Sequence, residues 1–328
     1  MEKLKHEDLK ISIIIPCYNV ANFIERTVSS VFNRKNDVNL EVIIIDDCSK
    51  DNSWEVINRL KHIEIKAFKN PENRGVSFTR NFGISIATGD IIMFLDGDDE
   101  YSGNIFEELR KVFSENQSVD FISFGFEIIE GANSKKIVSS EFDNHTFKRD
   151  DFLTLFFRRN IRQCMCSFAV RRNILKDNEI NFDINTFAGE DQEVQINCML
   201  SSRYIHYIGE IFFVYKMQSE SFMKSKFSEK RITSMNVFKR LESNEEVLKL
   251  SETLKRSFFT YFALEYFSLL KHGSYSNNMS LIEKVLVHKS ILKNKFDFPS
   301  NSQAIKVRLL SLWHRISLRS LISFLKKT

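Results

Sequence analysis

The sequence predicts an α/β protein in which a mostly parallel sheet is flanked by helices and followed by a C-terminal helical region. Apolar, β-branched runs alternate with amphipathic helical segments over the first hundred residues. The runs are almost wholly apolar, as expected for strands covered on both faces. Polar and acidic residues follow several runs directly, at the position where ligands bind in parallel α/β sheets.

The individual elements follow from hydrophobic periodicity. Asp51, Asn52 and Ser53 are candidate N-cap residues for the second helix, and Gly89 ends the third. In chain order, the first part contains strand 11–16, helix 22–33, strand 40–45, helix 54–61, strand 63–68, helix 76–87 and strand 91–95.

Beyond residue 100 the pattern indicates a mixed continuation of the same domain. It predicts strands at 121–129, 164–170 and 211–216 and a helix at 194–200. Mainly helical spacing begins at about Ser228, so we predict one domain over 1–227 and a helical region over 228–328.

Composition and charge limit the function classes. A chain of 328 residues with 43% apolar residues can bury a sizeable core, and 31 Phe against 10 Gly and 3 Pro is not typical of disorder. Residues 224–328 carry 20 Lys or Arg and 8 Asp or Glu, so this part has a net charge of +12 and the remainder −8. The two parts therefore meet different partners, or the basic surface is simply solvated.

The cysteines and the termini indicate the compartment. Five cysteines without a CxxC pair argue against a disulfide framework and a zinc site. Residues 1–10 are charged and lack an apolar signal core, and no apolar run reaches the ~18 residues of a membrane span. We expect a cytoplasmic protein, either free or peripheral on the inner face of the cell membrane.

The first chemical motif is Asp96-Gly97-Asp98-Asp99, directly after strand 91–95. Three carboxylates in four residues repel one another, so a compensating positive charge is expected. Carboxylates are preferred ligands of Mg²⁺ and Mn²⁺, which also bind phosphates. A surface turn is the alternative, because Asp and Gly both favour turns. The position after an all-apolar strand favours the functional interpretation.

A second acidic pair, Asp46-Asp47, follows strand 40–45 in the same way. It is either a turn or cap for the next helix, or a carboxylate that accepts a hydrogen bond from a base N–H. The chain contains no GxGxxG motif and no Walker-type loop. Dinucleotide oxidoreductases and P-loop enzymes therefore lose support.

Five ordered motifs resemble those of the family 2 glycosyltransferases, which have the Rossmann-like GT-A fold. The similarity runs from residue 11 to about 114, and Gly189-Glu190-Asp191 is a further match downstream. It implies a catalytic domain with a nucleotide-sugar half over about 11–114 and an acceptor half over about 115–227. The motifs are Ile13-Ile14-Ile15-Pro16-Cys17-Tyr18-Asn19, Ile43-Ile44-Ile45-Asp46-Asp47-Cys48-Ser49, Asn73-Arg74-Gly75-Val76-Ser77 with Arg80-Asn81-Phe82-Gly83, Ala87-Thr88-Gly89-Asp90, and Leu95-Asp96-Gly97-Asp98-Asp99.

The resemblance implies a donor-binding role for matching residues of the first half. Pro16 and Tyr18 line the base pocket. Asp47 accepts a hydrogen bond from uracil, which indicates a UDP-sugar donor. Asn73 and Arg80 lie toward the nucleotide and its phosphates. The alternatives are a sheet-packing Tyr18 and a helix-surface Arg80.

The resemblance also implies the catalytic groups. Asp96 contacts the ribose or the donor sugar, and Asp98 binds Mn²⁺ or Mg²⁺ that bridges to the diphosphate. Such an ion stabilises the charge that grows on the leaving group. Asp191 is the general base that deprotonates the acceptor hydroxyl, and a single displacement inverts the anomeric carbon. An acidic residue at a helix start, favoured for structural reasons alone, is the alternative for Asp191.

One segment departs from the family pattern. Many relatives carry a Tyr-Arg-x-His-x-x-Ser-like segment after the base, and its His completes the metal site. The comparable stretch here is 215–221, with Gln218 in place of the His. A Gln carbonyl is a poorer ligand for a transition metal, but Asp98 keeps its implied role because Mg²⁺ often retains several waters.

The last segment, 300–328, contains no acidic residue. On a helix, Arg308, Arg315, Arg319 and Lys326 fall on one narrow stripe beside a broad apolar surface. Such a helix either lies in an anionic membrane interface or packs on its own domain or in a homodimer.

These observations support an inverting transfer of a sugar from a UDP-sugar to a saccharide or lipid-linked acceptor, in capsule, lipopolysaccharide or other surface-glycan synthesis. The alternative is a catalytically inactive donor-binding scaffold of a glycan-assembly complex. Nucleic-acid binding rests only on the basic last third of the chain and is not favoured, since no such motif is present.

Overall fold

The computed structural model describes most of the chain. Two predicted features lie wholly or largely outside the described residues: the 219–221 end of the departing segment, and the C-terminal helix over 300–328. None of the described helices is both long and apolar enough to span a membrane. The described residues are 9–218, 227–275, 279–294, 296, 310, 311, 313, 314, 321 and 324.

The chain divides into two compact units. The first unit comprises 1–149, 162–184 and 194–218, and the second comprises 150–161, 185–193 and 219–328. The division into a domain over 1–227 and a helical region over 228–328 stays a prediction.

Within the described residues, ten strands form one mixed sheet in the first unit, in the order β3-β2-β1-β4-β9-β6-β10-β5, with β7 beside β6 and β8 beside β10. The first four strands of this order are parallel. β9 runs antiparallel to both of its neighbours. The strands are β1 Lys10–Cys17, β2 Asn39–Asp46, β3 Ile65–Lys69, β4 Ile91–Phe94, β5 Glu100–Tyr101, β6 Val119–Glu130, β7 Asn133–Ile137, β8 His145–Lys148, β9 Phe168–Arg171 and β10 Tyr204–Lys216.

Helices connect the strands of the first unit and make up most of the second. The part of the chain that the structure describes also contains 3₁₀ turns at Ser140–Phe142 and Lys289–Lys293. The helices are α1 Ile24–Phe32, α2 Ser53–Ile57, α3 Val76–Ile86, α4 Ile105–Glu115, α5 Arg149–Phe157, α6 Arg172–Asp177, α7 Glu190–Ser201, α8 Glu229–Ile232, α9 Ser234–Glu242, α10 Glu245–Lys249, α11 Glu252–Tyr275 and α12 Met279–Leu286.

The α/β architecture and the helical C-terminal part agree with the prediction, but several bounds differ. The helix predicted to reach residue 61 ends at Ile57, because the next turn tightens to three-residue hydrogen bonds. The strand predicted from 164 begins at Phe168, since Ser167 N bonds back to Cys164 O in a turn. β10 begins at 204 rather than 211, because a register shift after Ile208 interrupts its apolar pattern.

The parallel strands bring their carboxyl ends to one edge. β1 lies between β2 and β4, with Cys17 opposite Asp46 and Ile14 opposite Phe94. α3 lies close against β1 and β2, where a Cβ added at Gly83 would sit 2.4 Å from Cγ2 of Ile14. Only glycine therefore permits this helix to approach the sheet so closely.

At the opposite edge of the sheet, a buried carboxylate connects neighbouring segments by hydrogen bonds. Glu41 accepts hydrogen bonds from Ser12 Oγ at 2.5 Å and from both the backbone N–H and the hydroxyl of Thr88 at 2.9 Å. Gly89 N in turn donates to Ser12 Oγ at 2.8 Å. The Ala87-Thr88-Gly89-Asp90 motif thus joins the start of β4 to β1 and β2.

Candidate active site

The acidic turn 96–99 lies directly on the carboxyl end of β1. A Cβ added at Gly97 would meet Cys17 Sγ at 3.2 Å and the carbonyl oxygen of Pro16 at 3.3 Å. Thr27 Oγ1 donates to the Gly97 carbonyl at 3.0 Å, and Arg26 Nη2 donates to the Asp98 carbonyl at 3.0 Å. The turn therefore packs on the end of β1 and is hydrogen-bonded to α1.

Arg80 pairs with the first carboxylate of this turn. Its guanidinium is buried on α3 and donates from Nη2 to Asp96 Oδ1 at 2.8 Å. It also lies over the Phe182 ring, 5.3 Å from the centroid. α3 is fixed to the same segment by reciprocal 2.8 Å bonds between the Asn81 amide and the Phe182 backbone. This arrangement places a fixed positive charge beside the acidic turn.

Burial and mutual repulsion disfavour the ionised forms of the other two carboxylates of the turn. Burial and the neighbouring Asp96 raise the pKa of Asp98 to about 6. Burial and the two nearby carboxylates raise the pKa of Asp99 well above its usual range. Asp99 Oδ1 accepts from Lys216 N at 2.8 Å, while its buried Oδ2 has no hydrogen-bond partner in the structure described.

Asp47 organises the loop that follows β3. Its Oδ1 accepts from the Asn70 amide at 2.7 Å and from Arg74 N at 3.0 Å. Its Oδ2 accepts from Gly75 N at 2.8 Å. Asn73 is exposed and donates from its side chain to the Asp47 carbonyl at 3.2 Å. The carboxylate thus ties residues 70–75 to the end of β2.

The segment after β1 presents an aromatic side chain at the same edge. Tyr18 follows β1 directly and is 41% exposed, so sheet packing does not explain it. Asn19 has a φ of +55°. It donates from its backbone N–H to Ser49 Oγ at 2.9 Å and accepts from Lys50 N at 2.8 Å through its side chain. These bonds fix the loops after β1 and β2 to each other.

A divalent cation fits the acidic turn. Because burial and the neighbouring Asp96 raise the pKa of Asp98, a bound cation would stabilise its ionised form, and Asp96 in the same turn could supply a second oxygen ligand. Among the described residues, no group of three or more His, Cys, Asp and Glu is placed to hold a metal. The remaining ligands would come from a diphosphate and water. Gln218 donates to the Lys216 carbonyl at 3.2 Å, and its part in a metal site stays a prediction.

Asp191 belongs to the second unit. It is the second residue of α7, is half-buried, and accepts from Gln192 N at 2.8 Å. Its charge contributes to raising the pKa of buried Tyr261, after burial itself and Glu265. The structure therefore brings the seven other predicted site residues into the first unit and places the predicted base on a helix start of the second.

Two cavities of the first unit lie away from these residues. They have volumes of about 570 and 340 Å³ and share Arg172 and Lys176 of α6. The smaller is also lined by Leu9 and Asp90, which precede β1 and β4. Neither cavity is lined by a predicted site residue.

Two residues beside the proposed site, Asn70 and Arg26, were not found by motif, and a third, Asp99, was found without its partner. Asn70 bonds Asp47, Arg26 pairs with Glu100 beside the acidic turn, and Asp99 accepts a hydrogen bond from the end of β10. Asp99 stands inside a recognised motif, but nothing adjacent to it indicates Lys216. The partners of Asn70 and Arg26 are more than twenty residues away in the chain, so local patterns give no signal for them.

Comparison with known sequences identifies the chain with one family. The model described as Glycosyl transferase family 2 matches residues 12–178. An uncharacterized glycosyltransferase of Haemophilus influenzae is 35% identical over 148 residues, which are 44% of this chain and 56% of the relative. The UDP-Glc:alpha-D-GlcNAc-diphosphoundecaprenol beta-1,3-glucosyltransferase WfaP of Escherichia coli is 40% identical over 109 residues, 31% of this chain and 43% of the relative. This chain spans about half the length of these curated relatives.

The fold is also found among solved structures. The crystal structure of S. aureus TarS 1–349 in complex with UDP-GlcNAc aligns with a TM-score of 0.72 and 17% sequence identity. The alignment covers 97% of this chain and 91% of that one, and it confirms the predicted α/β fold of the GT-A type. With the family model matched from β1 through α6, this chain belongs to glycosyl transferase family 2.

Proposed function

We propose that this protein transfers one sugar from a UDP-sugar to a saccharide or lipid-linked acceptor, with inversion, during surface-glycan synthesis. The observation that carries the proposal is the acidic turn on the end of β1, with buried Arg80 paired to Asp96 and the Asp47 loop at the same sheet edge. Two relatives support a UDP donor by name: WfaP uses UDP-Glc, and TarS was crystallised with UDP-GlcNAc.

The nucleoside would bind along the ends of β1 and β2. Pro16 and the exposed Tyr18 ring offer apolar surface to a base. A carboxylate has about four acceptor positions. Asp47 uses three of them on Asn70, Arg74 and Gly75, which leaves about one for a uracil N–H. Asn73, exposed beside Asp47, would contact the nucleotide from the same loop.

The diphosphate would bind at the acidic turn. Asp98 would hold Mn²⁺ or Mg²⁺, with Asp96 directed to the ribose or the donor sugar. When bound, the cation acts as a Lewis acid that stabilises the leaving diphosphate. Arg80 fixes Asp96 by its 2.8 Å ion pair and adds a positive charge on the phosphate side. Because the Arg80 side chain is buried, its guanidinium is oriented before substrate arrives.

Asp191 would act as the general base toward the acceptor hydroxyl. Replacing Asp191 with Asn removes the proton acceptor but keeps the size of the side chain. We expect transfer to fall at least about 100-fold, the usual contribution of general base catalysis, with UDP binding within about twofold of wild type. Initial rates and calorimetric titration with UDP and Mn²⁺ measure the two quantities.

Asp143 is an exposed carboxylate of the first unit. Asp143→Asn serves as the matched control and should retain the wild-type rate. Full transfer by the Asp191 variant would remove Asp191 from the base role. UDP binding without either transfer or donor hydrolysis in the wild-type protein would favour the inactive scaffold instead.

Binding of residues 300–328 to an anionic membrane stays a prediction, to be measured by sedimentation with phosphatidylglycerol vesicles. The described residues of this segment include buried Leu310 and Leu321. His314 Nε2 lies 3.1 Å from the Tyr266 hydroxyl of α11. These contacts favour packing within the second unit for at least part of the segment.

A further inference from the structure

The loop before α7 has a constrained backbone. Gly189 has a φ of +86°, in the region that favours glycine. A Cβ at this position would come within 3.2 Å of the Ser234 Cβ and 3.5 Å of Val237 on α9. Gly189 therefore packs closely against the start of α9. It immediately precedes the first turn of α7, which contains Asp191.

A single hydroxyl of the same region holds two backbone groups of this loop. Thr233 Oγ1 accepts from Phe187 N at 3.0 Å and from Ala188 N at 3.1 Å, and it donates to the Lys230 carbonyl at 2.6 Å. Its one donor and both of its acceptor positions are therefore used. Lys230 also lies over the exposed Phe187 ring, 5.1 Å from the centroid.

An arginine of α9 binds the first turn of α7 on the C-terminal side of Asp191. Arg240 donates from Nε and Nη2 to the two carboxylate oxygens of Glu193, each at 2.6 Å. Its Nη2 also donates to Thr186 Oγ1 at 2.8 Å. Glu193 is buried in the first turn of α7, two residues after Asp191. A two-point Arg–carboxylate pair fixes orientation as well as distance.

We propose that Thr233 and Arg240 are positioning residues for Asp191, which they hold from both sides through the 186–189 loop and Glu193. The inference rests on the proposed base role of Asp191. Neither residue needs to touch a substrate. Their part is to fix the helix start from which the carboxylate projects.

The physical reason is the steep dependence of proton transfer on geometry. A misplacement of about 1 Å can cost about 100-fold in rate. Asp191 stands on the first turn of a helix, and the turn before it contains a glycine, so local backbone stiffness alone does not fix its position. The hydrogen bonds of Thr233 and Arg240 instead hold the start of α7 in place.

The test compares Thr233→Val and Arg240→Met in the full-length protein. Both are expected to lower kcat about 10- to 100-fold while the KM for the UDP-sugar stays within about twofold. Thr233→Ser keeps the hydroxyl and should retain most of the wild-type kcat. Should Thr233→Val fail to fold, Thr233→Ala serves in its place.

Arg203→Met is the matched control. Arg203 pairs with buried Asp120 through Nε and Nη2 in the first unit, at 3.1 and 3.2 Å. This variant loses a comparable ion pair, so it should lower the melting temperature without lowering kcat. A wild-type kcat in Thr233→Val and Arg240→Met would overturn the proposal. An equal loss of kcat in Arg203→Met would do so as well, because the effect would then be general destabilisation.

A double-mutant cycle separates this inference from the base assignment. If Thr233 acts through Asp191, adding Thr233→Val to Asp191→Asn should cause no further loss of rate. A further 10-fold loss in the double variant would show that Thr233 acts elsewhere. Undiminished transfer by Asp191→Asn alone would instead defeat the base role, whatever the Thr233 and Arg240 variants show.

Discussion

Glu41 is a charged residue inside an otherwise apolar strand, and the structure explains it. It is 2% exposed and accepts from Ser12 and Thr88 in addition to forming ion pairs with Lys10 and Lys66. Burial by itself raises the pKa of Glu41, but the bonds from Lys66, Ser12 and Thr88 outweigh it and lower the pKa to about 2. The ionised carboxylate therefore stabilises the fold.

We expect Glu41→Gln to destabilise the protein in a pH-dependent way. The folded pKa of about 2 lies below the ordinary 4.5, so the stabilisation is complete above pH 4.5 and is lost as the pH falls toward 2. The shift corresponds to on the order of 3 kcal/mol at neutral pH. Urea unfolding at several pH values measures it, and the gap between wild type and variant should close in acid.

Glu64→Gln provides the comparison for this prediction. Glu64 pairs with Lys35 near the surface, where ion pairs contribute at most about 1 kcal/mol. Equal losses of unfolding free energy in the two variants at pH 7 would contradict the assigned role of Glu41.

At the scale of elements, the position of α3 depends on one small residue. Gly83 faces Ile14 of β1 and Ile45 of β2, and Arg80 lies one turn earlier on the same helix. The approach of the helix to the sheet therefore sets where the Arg80 guanidinium meets Asp96. If Arg80 has its proposed role, packing and donor binding are coupled through this helix.

Gly83→Ala should disturb both properties. The added Cβ would lie 2.4 Å from a fully buried methyl group, so α3 or Ile14 must move, at a cost of about 1–3 kcal/mol. We expect a lower free energy of unfolding and weaker UDP binding, measured by urea denaturation and calorimetry. Gly273→Ala in α11 is the control, because its nearest neighbour would be a Phe227 ring atom at 3.3 Å and alanine favours a helix by about 1 kcal/mol. Unchanged stability of Gly83→Ala would show that the approach is looser than described.

At the scale of the whole molecule, the two units differ in what they contribute. The first carries the proposed donor site on the carboxyl edge of its sheet, and the second carries Asp191 together with Thr233 and Arg240. A ligand that binds only the folded protein stabilises it, by about 2.7 kcal/mol at 100 times its dissociation constant. That stabilisation is concentrated where the ligand makes its contacts.

UDP with Mn²⁺ should therefore slow backbone hydrogen exchange unevenly. We expect the clearest protection in segments 17–19, 46–49, 70–75 and 96–99 of the first unit, and little change in α11 of the second. Peptide-level exchange followed by mass spectrometry measures this. UMP, which lacks the second phosphate, is the matched ligand and should protect 96–99 less. Protection confined to α11 would place the nucleotide elsewhere.

Much of the fold was predictable, and so was the position of the proposed donor-site residues after strand ends, because both depend on local patterns. Apolar strand runs, helical spacing and acidic residues after strand ends are properties of neighbouring residues, so the sequence locates β1, β2, β4 and α3 to within a few positions. The antiparallel insertion of β9 between β4 and β6 could not be predicted in this way. Its pairs join residues 45 to 80 positions apart in the chain.

The sequence by itself determined which side chains are available for chemistry, since acidic residues after buried strands need an explanation wherever the chain folds. Only the tertiary structure decided which of them meet: Asp47 with the 70–75 loop, Arg80 with Asp96, and the Asp191 helix start with Thr233 and Arg240. The physical reason is the short range of the interactions that join them. Hydrogen bonds and ion pairs act over a few ångströms in space, whereas the partners named here lie 16 to 47 residues apart in the chain.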